Sequence, residues 1–128
     1  MRTRTVLTTA ALVTALALPT SLPAFAGDND VRRSGNCSRR SDWKLKLSPE
    51  DGRLEVEFEV DQNVNGDTWR IVMRHDGNRF FRGRRTTRGP SGSFEVRRVV
   101  NNNSGTDRFT ARARNLSTDE VCRGSASI

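Results

Sequence analysis

The chain has one histidine, two cysteines and few aromatic residues (6%) among its 128 residues. A Ser-His-Asp hydrolase would have to use His75, and no Gly-x-Ser-x-Gly elbow accompanies it. Next to Asp76-Gly77, at the end of a strand pattern, His75 reads as an exposed turn residue. Two cysteines with no C-x-x-C spacing argue against a thiolate metal centre or a redox pair. Long apolar runs are also missing. The stretch from Val6 to Leu18 is broken by Thr8, Thr9 and Thr14 and falls short of the roughly 20 apolar residues of a membrane span. No second such stretch follows, so no membrane span is expected. No window after it carries a helical period, and neither a repeat nor a low-complexity tract is present.

What is there begins at the first residues. Arg2 and Arg4 precede the short apolar run, and Ala24-Phe25-Ala26 closes it. A basic start, an apolar middle and a small-x-small exit predict a secretory signal peptide over residues 1–26, cut after Ala26. No cysteine stands at the cut, so a free extracellular product is expected. Removing Arg2 and Arg4 with the leader takes the net charge from +7 to +5. In an oxidising compartment Cys37 and Cys122 read as one disulfide near the two ends of a small domain.

Residues 27–41 are polar and without period, and predict a mobile leader tied down at Cys37. From residue 42 to 128 the pattern has period two. Trp43, Leu45 and Leu47 alternate with Lys44 and Lys46; Leu54, Val56, Phe58 and Val60 alternate with Glu55, Glu57, Glu59 and Asp61. Trp69, Ile71 and Met73 form a third apolar row. Further strands are expected over residues 79–87, 93–100, 107–115 and 120–127, separated by Gly-, Asn-, Asp- and Pro-rich turns. Seven short strands with one apolar face each predict an all-β, two-sheet sandwich, with Trp43 and Trp69 in the core.

The run Asp107-Arg-Phe109-Thr-Ala111-Arg-Ala113-Arg-Asn115 resembles the sixth strand of fibronectin type III and immunoglobulin-like domains, which often ends in Ala-x-Asn. From Cys37 to Ile128 the chain also resembles small secreted proteins of GC-rich actinobacteria. These share an Asp-x-Asn-x-x-Gly-x-x-Trp turn (here Asp61 to Trp69), a Pro-Ser-Gly-Ser-Phe segment (Pro90 to Phe94) and a late cysteine. The resemblance implies a fold and no activity, because those proteins have none assigned. It places the strands counted third, fourth, sixth and seventh in one sheet, and the disulfide away from the inter-sheet bridge of antibody domains.

Several residue groups invite a chemical reading. Glu55, Glu57 and Glu59 lie about 6.5–7 Å apart along one strand face, a spacing that paired catalytic carboxylates can use. Nothing apolar shares their face in the sequence, and ion pairing with a neighbouring strand that carries Glu95 and Arg97 is the preferred reading. Asp61, Asn63, Asn65 and Asp67 follow the alternation of a calcium loop, but Val72 stands where its closing Glu belongs; weak calcium binding is the most this turn offers, and no other cofactor is expected. The sequons at Asn36, Asn102 and Asn115 read as turn residues. The largest signal is basic. Twelve arginines lie between residues 70 and 114 against three acids, whereas residues 27–61 carry seven cations and nine acids. Arg70, Arg74, Arg82, Arg84, Arg112 and Arg114 should share one outward sheet face. Guanidinium rows attract anions and can fork onto phosphate or carboxylate. An Arg-biased genome would leave a similar count. Without interleaved exposed aromatics, specific nucleic-acid recognition is not supported. The expected function is a secreted, monomeric, non-catalytic module for an anionic polymer or acidic protein. The alternative is a protease inhibitor presenting a loop over residues 82–88, Arg82-Gly-Arg84-Arg85-Thr-Thr-Arg88.

Overall fold

Period-two apolar rows fold into β1 (Val31–Asn36), β2 (Asp42–Glu50), β3 (Arg53–Asp61), β4 (Thr68–His75), β5 (Asn78–Thr86), β6 (Ser93–Asn101), β7 (Arg108–Asn115) and β8 (Val121–Ser127). The computed structural model describes residues 29–128, so the expected signal segment and its cleavage site lie outside the described residues. Two four-stranded antiparallel sheets form, in the orders β1-β2-β3-β6 and β5-β4-β7-β8. Apart from β1, this is the arrangement expected from the sequence, including β6 beside β3 and the sheet that groups β5, β4, β7 and β8. No helix long and apolar enough to cross a membrane occurs among the described residues.

The core lies between the sheets. Leu45 and Leu47 of β2, Val56, Phe58 and Val60 of β3, and Val96 of β6 face Trp69, Ile71 and Met73 of β4 and Phe109, Ala111 and Ala113 of β7; all are buried. Trp69 packs against Phe94 with ring centroids 5.9 Å apart. Its indole N–H, buried with the ring, donates to Gln62 Oε1 at 3.0 Å, so the polar end of the largest core residue is satisfied.

Two expectations need correction. Where it is described, from residue 29 on, the expected mobile leader over residues 27–41 is ordered instead: residues 31–36 form β1, an eighth strand paired residue by residue with β2. The turn that follows is docked as well. Glu120, 3% exposed, accepts hydrogen bonds from Arg39 N (3.0 Å), Ser41 N (2.9 Å) and Ser41 Oγ (2.6 Å). An edge strand needs only backbone pairing on one side, so β1 forms without an alternating apolar signature. Trp43 is the second correction. It sits half-buried at the margin of the core, where an added Cβ on Gly35 or Gly124 would come within 2.9 or 2.7 Å of its ring. The Cys37–Cys122 disulfide forms at this same margin, joining the turn after β1 to β8 of the opposite sheet. It is thus a bridge between sheets, placed at their edges.

Candidate functional site

The two outer faces of the sandwich carry different charge patterns. On the β1-β2-β3-β6 face, cross-strand register puts Arg32, Lys46, Glu57 and Arg97 in one row. Lys46 Nζ lies 3.7 Å from Asp30 and 3.8 Å from Glu57. Arg97 pairs with Glu55 and reaches Glu57 at 3.7 Å and Glu50 at 3.9 Å. The Glu55–Glu57 row is thereby an ion-pair network. Opposite charges directly across a sheet attract, and the pairing neutralises this face.

The Arg97 guanidinium holds the Glu55 carboxyl down to about 2. Partial burial beside Glu55 pushes Glu57 up, and the hydrogen bond to Glu55 raises Glu50. A depressed carboxyl stabilises the fold above its ordinary value near 4.5, and that contribution is lost as pH falls toward 2. Glu50 and Glu57 act with the opposite sign at higher pH. Urea unfolding of wild type and Glu55→Gln should therefore show the variant less stable at pH 7 and the gap closing between pH 4.5 and 2. A gap that stays constant across that range would show that Glu55 is not held low by Arg97.

The β5-β4-β7-β8 face is built otherwise. Register sets Arg84, Arg70 and Arg114 directly opposite one another, with Arg82, Val72, Arg112 and Arg123 in the next row. A third row holds Arg79, Arg74, Thr110 and Ser125. All eight arginines are exposed. Among the described residues only Arg114 has a carboxylate partner, Asp119 at 2.6 Å. Like charges directly across strands repel, so these arginine rows cost stability; the opposite face has such pairs too, Glu59 across from Glu95 for one, among its cross-strand ion pairs. Between Arg74, Arg112 and Arg123 the surface dips into a concavity of about 490 Å³ that also reaches Val72, Thr110 and Ser125.

All six arginines expected on this face are there, and two were missed. Arg123 follows the parity of buried Cys122, so it was readable once the disulfide was assigned. Arg79 breaks the even-number parity of Arg82 and Arg84. A register shift between Met73 and Arg74 returns it to the outer face opposite Arg74.

The other candidates are absorbed by structure. Residues 82–86 of the supposed inhibitory loop lie in β5, hydrogen-bonded to β4, because Arg82 and Arg84 extend the outward row. Arg85 turns the other way, over the Phe81 ring at 5.2 Å, and Arg98 lies over the same ring at 4.6 Å. Thr87 is buried, and Arg88 bridges to Ser93.

In the calcium-like turn, Asp61 Oδ1 caps Asn63 N at 3.1 Å, with Asn63 in the left-handed region (φ 57°). Asp67 Oδ2 accepts from Gln62 Nε2 at 2.5 Å and Asn115 Nδ2 at 2.9 Å, and these bonds hold its carboxyl below the usual range. Gln62 is the residue that receives the Trp69 indole, so this turn anchors the core, while Asn65 stays exposed at its tip. Asn115 is fully buried, and its Oδ1 accepts from Ser117 N and Thr118 N, so it shapes the β7–β8 turn.

His75 is 9% exposed, contrary to the exposed turn residue read from the sequence; its ring stacks on Phe109 at 4.3 Å. No protein-family model, curated protein or solved structure matches the chain.

Proposed function

We propose that the protein is a secreted, non-catalytic binding module that receives an anionic partner on the outer face of the β5-β4-β7-β8 sheet. The observation that carries this reading is the contrast between the two faces. One pairs its charges across strands, and the other aligns eight arginines with a single acidic partner among the described residues. A rigid sheet fixes the guanidinium spacing, so an extended polyanion meets several donors at once with little ordering cost. The disulfide suits an oxidising compartment.

Retention of the mature protein on immobilised polyphosphate as a function of salt tests the proposal. Binding should weaken steeply between 50 and 200 mM salt, on the order of the losses known for several released counterions. Changing Arg70, Arg74, Arg112 and Arg114 to Gln should reduce the slope of log K against log salt by about three, at ~0.7–0.9 per contact. Changing Arg32, Arg33, Arg39 and Arg40, which lie on the other sheet and its adjoining turn, should change it little. Equal losses from both sets would mean that net charge alone is responsible, and the face would not be a site. Salt-insensitive inhibition of a trypsin-like protease, lost on changing Arg82 and Arg84, would replace this reading with the inhibitor one.

A further inference from the structure

A second cluster lies at the far end of β4 from the Trp69 anchor. His75 closes β4, Asp76 opens the turn into β5, and Asp107 and Asn103 come from the β6–β7 connection. His75 Nε2 is 2.5 Å from Asp107 Oδ1 and 3.5 Å from Asp76 Oδ2, and the three donor atoms lie within 4.8 Å of one another. Nε2 is thus the point on which both carboxylates converge.

Each donor is held in place by its neighbours. The imidazole is stacked on Phe109 and meets Phe80 edge-on, with centroids 6.5 Å apart. Asp107 is 1% exposed, and its backbone pairs with Ile128 in both directions, at 2.9 and 3.0 Å. Its Oδ1 also takes a hydrogen bond from Asn103 N at 3.0 Å. Asp76 Oδ1 accepts from Arg108 N at 2.8 Å, which turns Oδ2 toward the histidine; Asn103 Nδ2 donates to that oxygen at 2.8 Å and lies 3.3 Å from His75 Nε2, so this exposed amide stands beside both atoms and must turn aside when an ion enters. The Arg108 N–H on the far oxygen of Asp76 and the Phe109 packing behind the ring are supports of the kind that orient metal ligands.

We infer that His75, Asp76 and Asp107 form a binding site for a divalent transition-metal ion of the zinc class. An imidazole nitrogen disfavours calcium and magnesium, which take oxygen ligands, and the absence of thiolate disfavours copper(I). Bonds of about 2.0–2.1 Å in a tetrahedron place donor atoms ~3.3–3.4 Å apart. The His75–Asp76 separation of 3.5 Å already fits, and the His75–Asp107 pair opens when the ion replaces the hydrogen between them. For a neutral imidazole that carries its hydrogen on Nε2, this is a tautomer shift: one proton leaves Nε2 and one enters at Nδ1, so the ion meets the Nε2 lone pair of neutral imidazole and two carboxylates with no net proton change. Three protein ligands leave a fourth position for water; His75 also borders a shallow groove of about 350 Å³ that Arg53, Arg79, Phe80 and Asn103 line.

Thermal unfolding of chelator-treated mature protein, with and without zinc chloride, decides the matter independently of the arginine face. At free zinc a hundred times the dissociation constant the midpoint should rise on the order of 10 °C. Asp76→Asn keeps an oxygen for Arg108 N, and the exposed Asn103 amide can turn its oxygen to the new N–H, so the variant should fold and lose the rise. His75→Gln should lose it too, along with the visible absorption of tetrahedral cobalt(II) substituted for zinc. No rise in wild type, or an equal rise in Asp76→Asn, would overturn the site; if His75→Gln does not fold, Asp76→Asn alone decides.

Discussion

Replacing Cys37 and Cys122 together with alanine should lower the thermal midpoint by roughly 15–20 °C while leaving the strands in place. The bridge closes a loop of 85 residues, nearly the whole domain. In the chain-entropy account such a crosslink is worth about 4–5 kcal/mol, against total stabilities of ~5–15 kcal/mol for domains of this kind. The fold should survive because the junction is held by other means. Ser38 N donates to Val121 O at 2.8 Å and Ser38 Oγ accepts from Val121 N at 2.9 Å, beside the three hydrogen bonds to Glu120. Alanine is the better probe than serine, since Cys122 is fully buried and a hydroxyl there adds a desolvation cost of its own. Reduced wild-type protein serves as the second arm: it should melt with the alanine pair. A midpoint that moves only a few degrees on reduction would show that β1 and the Glu120 dock hold the ends without the crosslink.

Where each residue's environment is set by its own strand, the sequence was a sufficient guide. Leu54, Val56, Phe58 and Val60 alternate with acids because one face of β3 meets the core and the other meets water, so parity alone assigned both. The same parity on β7 sent Arg112 and Arg114 outward against buried Ala111 and Ala113. Parity fails where a strand is held by a partner's backbone. β1 offers only Val31, Arg33 and Gly35 toward Leu47, Leu45 and Trp43, and Gly35 is there because the Trp43 ring occupies the space of a side chain. It fails again at the β5 irregularity that returned Arg79 to the outer face. The His75 cluster was unreadable for another reason. Its members come from β4, the β4–β5 turn and the β6–β7 connection, and only the packing of the sheets makes them neighbours. The polar turn at residues 61–67 was legible as a turn. Its service to Trp69 through Gln62 was not, because the acceptor stands seven residues from the indole it satisfies.

Gly92→Ala should be the most damaging single substitution outside the core, costing about 3–4 kcal/mol from left-handed strain and overpacking together. Gly92 has φ +67°, a region that a side chain enters at a cost of ~1–2 kcal/mol. Its surroundings make it worse. An added Cβ would lie 2.8 Å from the carbonyl carbon of Asn63 and 2.9 Å from that of Val64, and nearer still to the Val64 nitrogen. These are backbone atoms, and no rotamer relieves them. The β3–β4 loop would have to move, and it is tied on both sides: Gln62 N donates to Gly92 O at 3.0 Å, and the Gln62 side chain holds the Trp69 indole. Displacing it leaves a buried N–H without its acceptor, so the damage should reach the core. Gly105→Ala is the matched control, with φ +78° and no atom within 4 Å of an added Cβ. Urea unfolding should show the control losing only the ~1–2 kcal/mol of left-handed strain and Gly92→Ala losing about twice that or more, with altered tryptophan emission in the folded state. Equal losses in the two variants would mean that the loop yields freely, and that the close packing of residues 63 and 64 on Gly92 contributes nothing to the stability of the sandwich.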